Sequence, residues 1–354
     1  MEELLPKDNE NVPLPIPTTL EPEDFGPSAF APEQMVRCDK CLRANPPTRI
    51  NCLYCAAVLP HDEATANLRK PTLRQLEKWE QGYNNILLPP IANLTDANLS
   101  EVASLLRLRP EDLSLILASP TPLPLARVAT IDEAQLVQRR LSDLGIDSSI
   151  MPDVEPGTDD PGPIKVRAID LAEAGINAYH TPEGPGTPVS WSDLELLVAG
   201  RLIVKRVEQK EQRKSREENR ILTASEFVAD EMVFDLYTRT QKVPYRIAAN
   251  SFDFSCLGPG KDLVAAENIA SLLQLLRKRA PQAGYDEAFN SARKALEPVW
   301  PYEQESQSRG WRRQPFGKYS LGSVLEINNE KQFLRYSRLR YFLQTHTPPA
   351  PGGN

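Results

Sequence analysis

Apolar residues recur at helical spacing through residues 95–144, and short alternating runs flank them. The pattern predicts helices at about 96–106, at about 110–118 and at 131–144, where Gly145 ends the last one. The runs near Leu125 and at 146–151 favour strands. A further helix is predicted at 71–88, with Thr72 as its N-cap and Gly82 as its stop. Ile86, Leu87 and Leu88 then form a short strand-like run that ends at Pro89-Pro90. We therefore expect a small α/β module at residues 71–151.

Beyond residue 164 the pattern changes to short β-leaning runs that are separated by turn residues. These runs end in one amphipathic helix at about 262–279. Its apolar face is predicted to consist of Leu263, Ala266, Ile269, Leu272, Leu273 and Leu276. The order predicts a β-rich domain at 164–280 that this helix closes.

Two further segments differ from their surroundings. The run at 205–220, KRVEQKEQRKSREENR, mixes both charges, which is typical of a solvated face or a protruding loop. Residues 281–345 predict a helical or irregular tail. Within it, RGWRRQPFGKY interleaves arginine with aromatic residues. That pattern suits either contact with nucleic acid or packing back on the domain.

Proline marks the predicted boundaries, with 33 residues against 17 glycines. Residues 1–35 predict a disordered proline-rich arm, and residues 346–354 a disordered end. The run PDVEPGTDDPGP at 152–163 predicts a linker. Together with a cysteine module at 36–60, these features predict an α+β, multi-domain fold.

Charge and hydropathy narrow the functional classes. The 354-residue chain has a net charge of −7, which disfavours generic binding to nucleic acid or to anionic membranes. No run reaches the roughly 18 apolar residues of a membrane helix. The acidic, proline-broken N-terminus also lacks the basic start and apolar centre of a secretory signal. We expect a cytoplasmic protein with no membrane partner.

Four of the five cysteines form two CxxC pairs with the spacing Cys38-x2-Cys41-x10-Cys52-x2-Cys55. Each pair turns tightly enough to place two thiolates at ~2.3 Å from one metal, so two pairs provide the four sulfur ligands of a tetrahedral zinc site. The alternatives are two disulfides or four unrelated thiols. We predict one zinc ion. Four sulfur ligands leave no coordination position for a catalytic water.

The cysteine segment CDKCLRANPPTRINCLYCAAVLP resembles the zinc ribbons at the ends of many bacterial proteins. It also fits the Cys-x2-Cys-x3-Asn-x6-Cys-x2-Cys spacing of Ran-binding-protein-type fingers, with Asn45 at the Asn position. Both resemblances imply a structural zinc site. Two features depart from these families. Leu42 and Ala56 replace the glycine that usually ends each knuckle, and Val36 stands where the Ran-type finger has a tryptophan of its RNA-reading surface.

Two other segments resemble known domains. DLSLILASPTPLPLARVATIDEAQLVQRRLSDLGIDSSI is similar to the C-terminal domain of the ribosomal stalk protein and to small bacterial ferredoxin-like βαβ modules. The element order at 164–280 resembles pleckstrin-homology-like domains, in which a final helix closes two small sheets. VSWSDLELLVAG is similar to a strand common in the bacterial members. These resemblances imply a fold, and no residue role is carried over from them.

The remaining reactive residues lie in separate segments. Cys256 is predicted to be a buried structural cysteine. His61, His180 and His346 have no neighbouring nucleophile in the sequence. GPGK before the predicted helix at 262–279 lacks the full pattern of a phosphate-binding loop and indicates a turn.

Three functional hypotheses follow. The first is a non-catalytic zinc-binding adaptor that holds protein partners. The second is a nucleic-acid- or ribosome-associated zinc-ribbon protein. The third is an enzyme with an unrecognised carboxylate site, because the chain has 48 acidic residues. The closed cysteine site and the lack of a nucleophile–base pair favour the first, so we do not expect an enzyme.

Overall fold

The computed structural model describes residues 30, 32–60, 71–89, 94–157, 161–181, 184–214, 220–314 and 318–346. Contacts between residues divide the chain into two compact units, Met1–Lys70 and Pro71–Asn354. The predicted arm at 1–35 and the predicted disordered end at 346–354 lie almost entirely outside the described residues. Among those residues, no helix is both long and apolar enough to cross a membrane.

The first unit has a small antiparallel sheet of β1 (Val36–Arg37) and β2 (Ala44–Asn45). A 3-10 turn at Pro32–Gln34 precedes it. Among the described residues of this unit, the buried apolar cluster is very small: it consists of Cys38, Cys52 and Leu59, on which few other side chains pack. A core of this size needs an additional source of stability, such as a metal.

The second unit begins with an α/β layer whose strands follow the order β4-β3-β5, with both neighbours antiparallel to β3. Its elements are β3 (Tyr83–Leu87), α1 (Asp96–Leu106), α2 (Pro110–Leu117), β4 (Pro124–Val128), α3 (Ile131–Asp143) and β5 (Ser148–Pro152). β4, α3 and β5 thus form a βαβ unit that is split by β3. Pro110 opens α2, as the sequence predicts, and Thr95 and Thr130 cap α1 and α3 by accepting N–H bonds.

The helix predicted from residue 71 is wrong, whereas the strand-like run predicted at Ile86–Leu88 lies mostly within β3. Residues 71–82 form no helix, and β3 occupies 83–87. The carboxylate of Glu133 accepts the N–H groups of Thr72 and Leu73, at 2.6 and 3.0 Å, and Leu73 has a φ of 43°. A tertiary contact to α3 therefore captures the N–H groups of this segment, and local helix propensity does not decide its structure.

A second, larger sheet has the strand order β14-β15-β10-β11-β12-β6, with β13 parallel to β10. Its strands are β6 (Ile164–Lys165), β10 (Leu194–Lys214), β11 (Arg220–Thr238), β12 (Tyr245–Ala248), β13 (Gly284–Asp286), β14 (Glu303–Gln314) and β15 (Lys318–Asn328). A separate three-stranded meander consists of β7 (Ala168–Leu171), β8 (Gly175–Tyr179) and β9 (Thr187–Ser190). The protein is thus a mixed α/β structure that is rich in strands.

Three helices complete this unit: α4 (Ala265–Arg279), α5 (Phe289–Ala292) and α6 (Glu330–His346). The buried face of α4 includes Ile269, Leu272 and Leu276, which pack in one core with the meander and β12. Leu263 was predicted on that face but is exposed, because the helix begins only at Ala265. Ala266, which was also predicted there, lies in the first turn and is exposed as well.

Two segments have a different structure from the prediction. The charged run at 205–220 is largely strand, since β10 continues to Lys214 and β11 starts at Arg220. The tail at 281–345 is not only helical or irregular. It contains the β14–β15 hairpin, which pairs with the edge of β10, followed by α6. Pairing with β10 satisfies the backbone groups that a charged sequence alone would leave to water.

Residues from the three predicted modules of this unit share one core. Val137 of α3, Val233 of β11, and Trp300 and Phe333 of the tail belong to the same buried cluster. The segment predicted as a linker at 152–163 begins inside this structure, because β5 ends at Pro152 and Asp153 is buried. Residues 158–160 of that segment lie outside the described residues.

Candidate metal centre

The two CxxC pairs form two knuckles with the same backbone hydrogen bonds. In the first, Cys38 donates its N–H to Arg43 O (3.0 Å) and its own carbonyl accepts from Leu42 N (2.8 Å). In the second, Cys52 donates to Ala57 O (2.8 Å) and accepts from Ala56 N (3.0 Å). The repeat turns both thiol pairs toward one point.

Both knuckles end in a left-handed residue, at the positions where zinc ribbons usually have glycine. Leu42 has a φ of 61° and Ala56 a φ of 57°. A side chain in this conformation costs roughly 1–2 kcal/mol. The knuckle geometry thus requires a backbone conformation that these two residues disfavour. Other interactions in the site must offset this conformational cost.

The four sulfur atoms lie within 4.8 Å of one another. The Sγ atoms of Cys38 and Cys55 are 3.6 Å apart, and those of Cys41 and Cys52 are 3.5 Å apart. A zinc ion with four Zn–S bonds of ~2.3 Å sets its sulfurs about 3.8 Å apart. The cysteines therefore fit a tetrahedral metal site, and zinc is the ion that four thiolates favour.

Asn45 is fully buried and orients the second knuckle. Its Nδ2 donates to Arg43 O (2.9 Å) and lies 3.5 Å from the Sγ of Cys52. Its Oδ1 accepts the N–H of Leu53 at 2.8 Å. Hydrogen bonds of this kind hold ligand sulfurs in position and partly neutralise their charge. The sequence pointed to this residue through its spacing from the cysteines.

The thiols influence one another's ionisation. Burial raises the pKa of Cys52, but the N–H groups of Tyr54 and Cys55, with the Cys41 thiol and the Asn45 amide, lower it to about 6. The N–H of Arg43 lowers the pKa of Cys41, but burial and the three neighbouring thiols raise it to about 12. Four thiolates at this distance repel each other, so a bound dication is what would allow all four to ionise.

The other residues considered from the sequence do not join this site. Cys256 lies in the second unit, and burial raises its pKa to about 11, which suits a structural thiol. His180 stacks on Tyr245 with ring centroids 5.8 Å apart. His346 stacks on Phe342 at the end of α6. His61 lies outside the described residues.

Around the knuckles, large apolar side chains are exposed. They are Leu42 (67%), Leu53 (53%), Tyr54 (55%) and Val58 (52%). The guanidinium of Arg43 lies over the Tyr54 ring, 4.6 Å from its centroid. Residues 36–60 contain four basic residues and one acidic residue. We call this surface the knuckle face, defined by Leu42, Arg43, Leu53, Tyr54 and Val58.

The second unit contains a cleft of about 320 Å³ that the sequence did not indicate, because its lining comes from segments far apart in the chain. Its charged residues are Lys165, Arg167, Glu231, Arg246, Glu326 and Glu330. Arg246 is buried and bonds both oxygens of Asp235, at 2.6 and 2.8 Å, and also Glu330 at 3.3 Å. Glu231 accepts the N–H of Asn250 at 2.7 Å. These contacts join β11, β12 and α6.

Among the described residues, the four cysteines are the one group of three or more His, Cys, Asp or Glu side chains close enough to hold a metal ion. Comparison of the chain with protein-family models, with curated proteins and with solved structures found no match to any of them.

The positive φ of Leu42 leads to a stability prediction. Leu42→Gly should stabilise the zinc-bound state by about 1 kcal/mol, because glycine adopts this backbone conformation without a clash and the leucine side chain is mostly exposed. We expect a roughly fivefold higher zinc affinity in competition with a chromophoric chelator. Leu53→Gly is the matched control, since Leu53 has similar exposure without a positive φ, and it should not raise the affinity.

Proposed function

We propose that Cys38, Cys41, Cys52 and Cys55 bind one zinc ion as a closed structural site, and that the chain is a non-catalytic adaptor for protein partners. The knuckle face carries this proposal, because it exposes several apolar side chains on the two knuckles that a bound metal would hold together. Exposed apolar residues with a charged surround are typical of protein interaction sites.

Further observations support a role that is not catalytic. A zinc ion with four sulfur ligands has no open position for a substrate or water. In the cleft of the second unit, the carboxylates of Glu231 and Glu330 are already bonded, to the Asn250 N–H and to Arg246. We include three domain assignments in this proposal: a bacterial zinc ribbon at 36–60, a stalk-like module at 71–151 and a pleckstrin-homology-like domain at 164–280. The three-stranded meander β7–β9 packed with α4 fits the last of these.

The test compares the proteins captured by the full chain and by two variants. Leu53→Ser with Tyr54→Ser removes apolar area from the knuckle face but leaves all four cysteines. Leu115→Ser is the control, because Leu115 is 51% exposed on α2. We expect a direct partner that the wild type and the control bind with equal affinity and that the double variant binds at least tenfold more weakly. Binding that is equal in all three, or RNA as the bound species, would contradict the adaptor proposal.

A further inference from the structure

A second, smaller groove of about 220 Å³ lies in the second unit, where residues 71–76, the α/β layer and residues 298–301 meet. Its walls are largely apolar and come from parts of the chain that are far apart in the sequence. They include Leu73, Leu76, Leu106, Leu108 and Val299. Pockets for drug-sized ligands usually enclose ~300–1,000 Å³, so this groove suits a smaller molecule with an apolar body.

The charged residues that line this groove are all basic: Arg74, Arg107 and Arg127. Two of them are already paired with carboxylates outside the lining. Arg74 Nη1 lies 2.7 Å from Glu80 Oε2, and Arg127 Nε lies 2.9 Å from Asp153 Oδ2. Arg107 is exposed, and no carboxylate of the described residues pairs with it. One positive charge is thus left without a partner, which complements a monoanion.

Arg127 is the buried member of this set, with 5% of its side chain exposed. Its Nε and Nη2 donate to Asp153, and Nη2 also donates to the carbonyl of Glu80 at 2.9 Å. Within the described parts of the chain, nothing accepts a hydrogen bond from its Nη1. Guanidinium N–H groups form strong hydrogen bonds to carboxylate oxygens. The groove therefore has a buried donor for an anionic group as well as the exposed charge of Arg107.

The backbone of the groove is unusual as well. Four of the described non-glycine residues have a positive φ. Two of them end the cysteine knuckles, and the other two, Leu73 (43°) and Arg107 (54°), line this groove. Arg107 ends α1, where its N–H bonds the carbonyls of Ala103 and Ser104, so its conformation belongs to a helix cap. Leu73 is held in a conformation that leucine disfavours, and its N–H bonds Glu133. Such residues cluster at ligand sites.

We propose that this groove binds a small monocarboxylate with an apolar chain, such as a medium-chain fatty acid. The chain packs on the leucine walls, and the carboxylate pairs with Arg107 and accepts the N–H of Arg127 Nη1. Burial of the apolar chain supplies most of the affinity, so a small hydrophilic anion binds poorly. This proposal is independent of the zinc site and of the knuckle face.

The test measures the binding of sodium octanoate to the full chain by isothermal titration calorimetry. Octanol is the comparison ligand, because it has the same chain without the charge. We expect a dissociation constant on the order of 100 μM for octanoate and binding of octanol that is at least about tenfold weaker. From hexanoate to octanoate, each added CH₂ should tighten binding roughly fourfold, because it leaves water for the apolar walls.

Two variants should change octanoate binding in opposite directions. Arg107→Gln removes the unpaired charge, so it should weaken octanoate binding about tenfold and leave octanol binding unchanged. Glu80→Gln removes the carboxylate that pairs with Arg74, so it should tighten octanoate binding about two- to fivefold. A folding defect cannot produce such a gain, and the second variant therefore remains a test if the first fails to fold.

The matched control is Arg279→Gln, which removes an exposed arginine at the end of α4 and should change the affinity less than about twofold. Three results would overturn the proposal: no binding by the wild type at about 5 mM octanoate, octanol bound as tightly as octanoate, or equal effects of Arg107→Gln and the control. A leucine-ended peptide that binds more tightly than octanoate, and that Arg107→Gln no longer binds, would also overturn it, because the occupant would then be a protein C-terminus.

Discussion

Replacing Cys38 and Cys52 with serine should reduce the zinc content of the purified chain from about one ion to none. The double change removes one thiolate from each knuckle and leaves two ligands, which do not form a structural zinc site. Metal binding contributes about 10–16 kcal/mol in small four-ligand zinc modules. Because the core of the first unit contains little beyond Cys38, Cys52 and Leu59, residues 36–60 should lose their fold with the metal.

Zinc content is measured by elemental mass spectrometry after dialysis, and the fold of residues 36–60 by limited proteolysis. Cys256→Ser is the control and should retain the metal, since Cys256 lies in the second unit. The unfolding of residues 71–354 should be unchanged in the double variant, because they form a separate compact unit. Isolation of the wild type without metal and with two disulfides would contradict the prediction.

Asp153→Asn should destabilise the second unit by about 3–5 kcal/mol, because it leaves the buried Arg127 without a counter-charge. The Asp153 carboxylate accepts hydrogen bonds from Arg127 Nε (2.9 Å), Gly82 N (2.8 Å) and Asn84 Nδ2 (2.8 Å). Asn84 in turn accepts from Trp300 Nε1 at 3.0 Å. The ion pair therefore joins the α/β layer to the segment that precedes β14.

The loss of stability caused by Asp153→Asn should depend on pH in a defined direction. Burial raises the pKa of Asp153, but the Arg127 guanidinium and the Asn84 amide lower it below its ordinary value. A carboxyl with a lowered pKa in the folded state stabilises the fold above its unfolded pKa of about 3.9, and this contribution is lost as the pH falls. The difference between wild type and variant should thus be constant near neutral pH and decrease below about pH 4.

Urea unfolding measures the difference in unfolding free energy between the wild type and Asp153→Asn. Glu226→Gln is the control, because it removes an exposed pair in which Lys205 Nζ lies 2.9 Å from Glu226, and it should cost less than about 1 kcal/mol. Asp153 falls within the segment that the sequence predicts to be a linker. An effect of Asp153→Asn no larger than that of the control would therefore mean that 152–163 is a linker and that the buried pair does not contribute.

The sequence by itself predicted the features that depend on local chemistry. The four cysteines of the candidate metal centre follow from the spacing of two CxxC pairs, since ligands close in sequence must turn toward one metal. The helices α1, α2 and α3 follow from apolar periodicity and, for α2, from Pro110 at its first position. The left-handed residues Leu42 and Ala56 were expected because the knuckle itself requires them.

Only the tertiary structure decided the features that depend on distant partners. The segment at 71–82 is not helical, because Glu133 of α3 binds the N–H groups of Thr72 and Leu73. The sequence of the charged run at 205–220 predicts a solvated face or a loop. In the structure its first part is a strand, because β15 supplies hydrogen-bond partners to β10. Periodicity and spacing describe what a segment prefers, whereas the pairing of β-strands and the burial of charges depend on residues that no local pattern identifies.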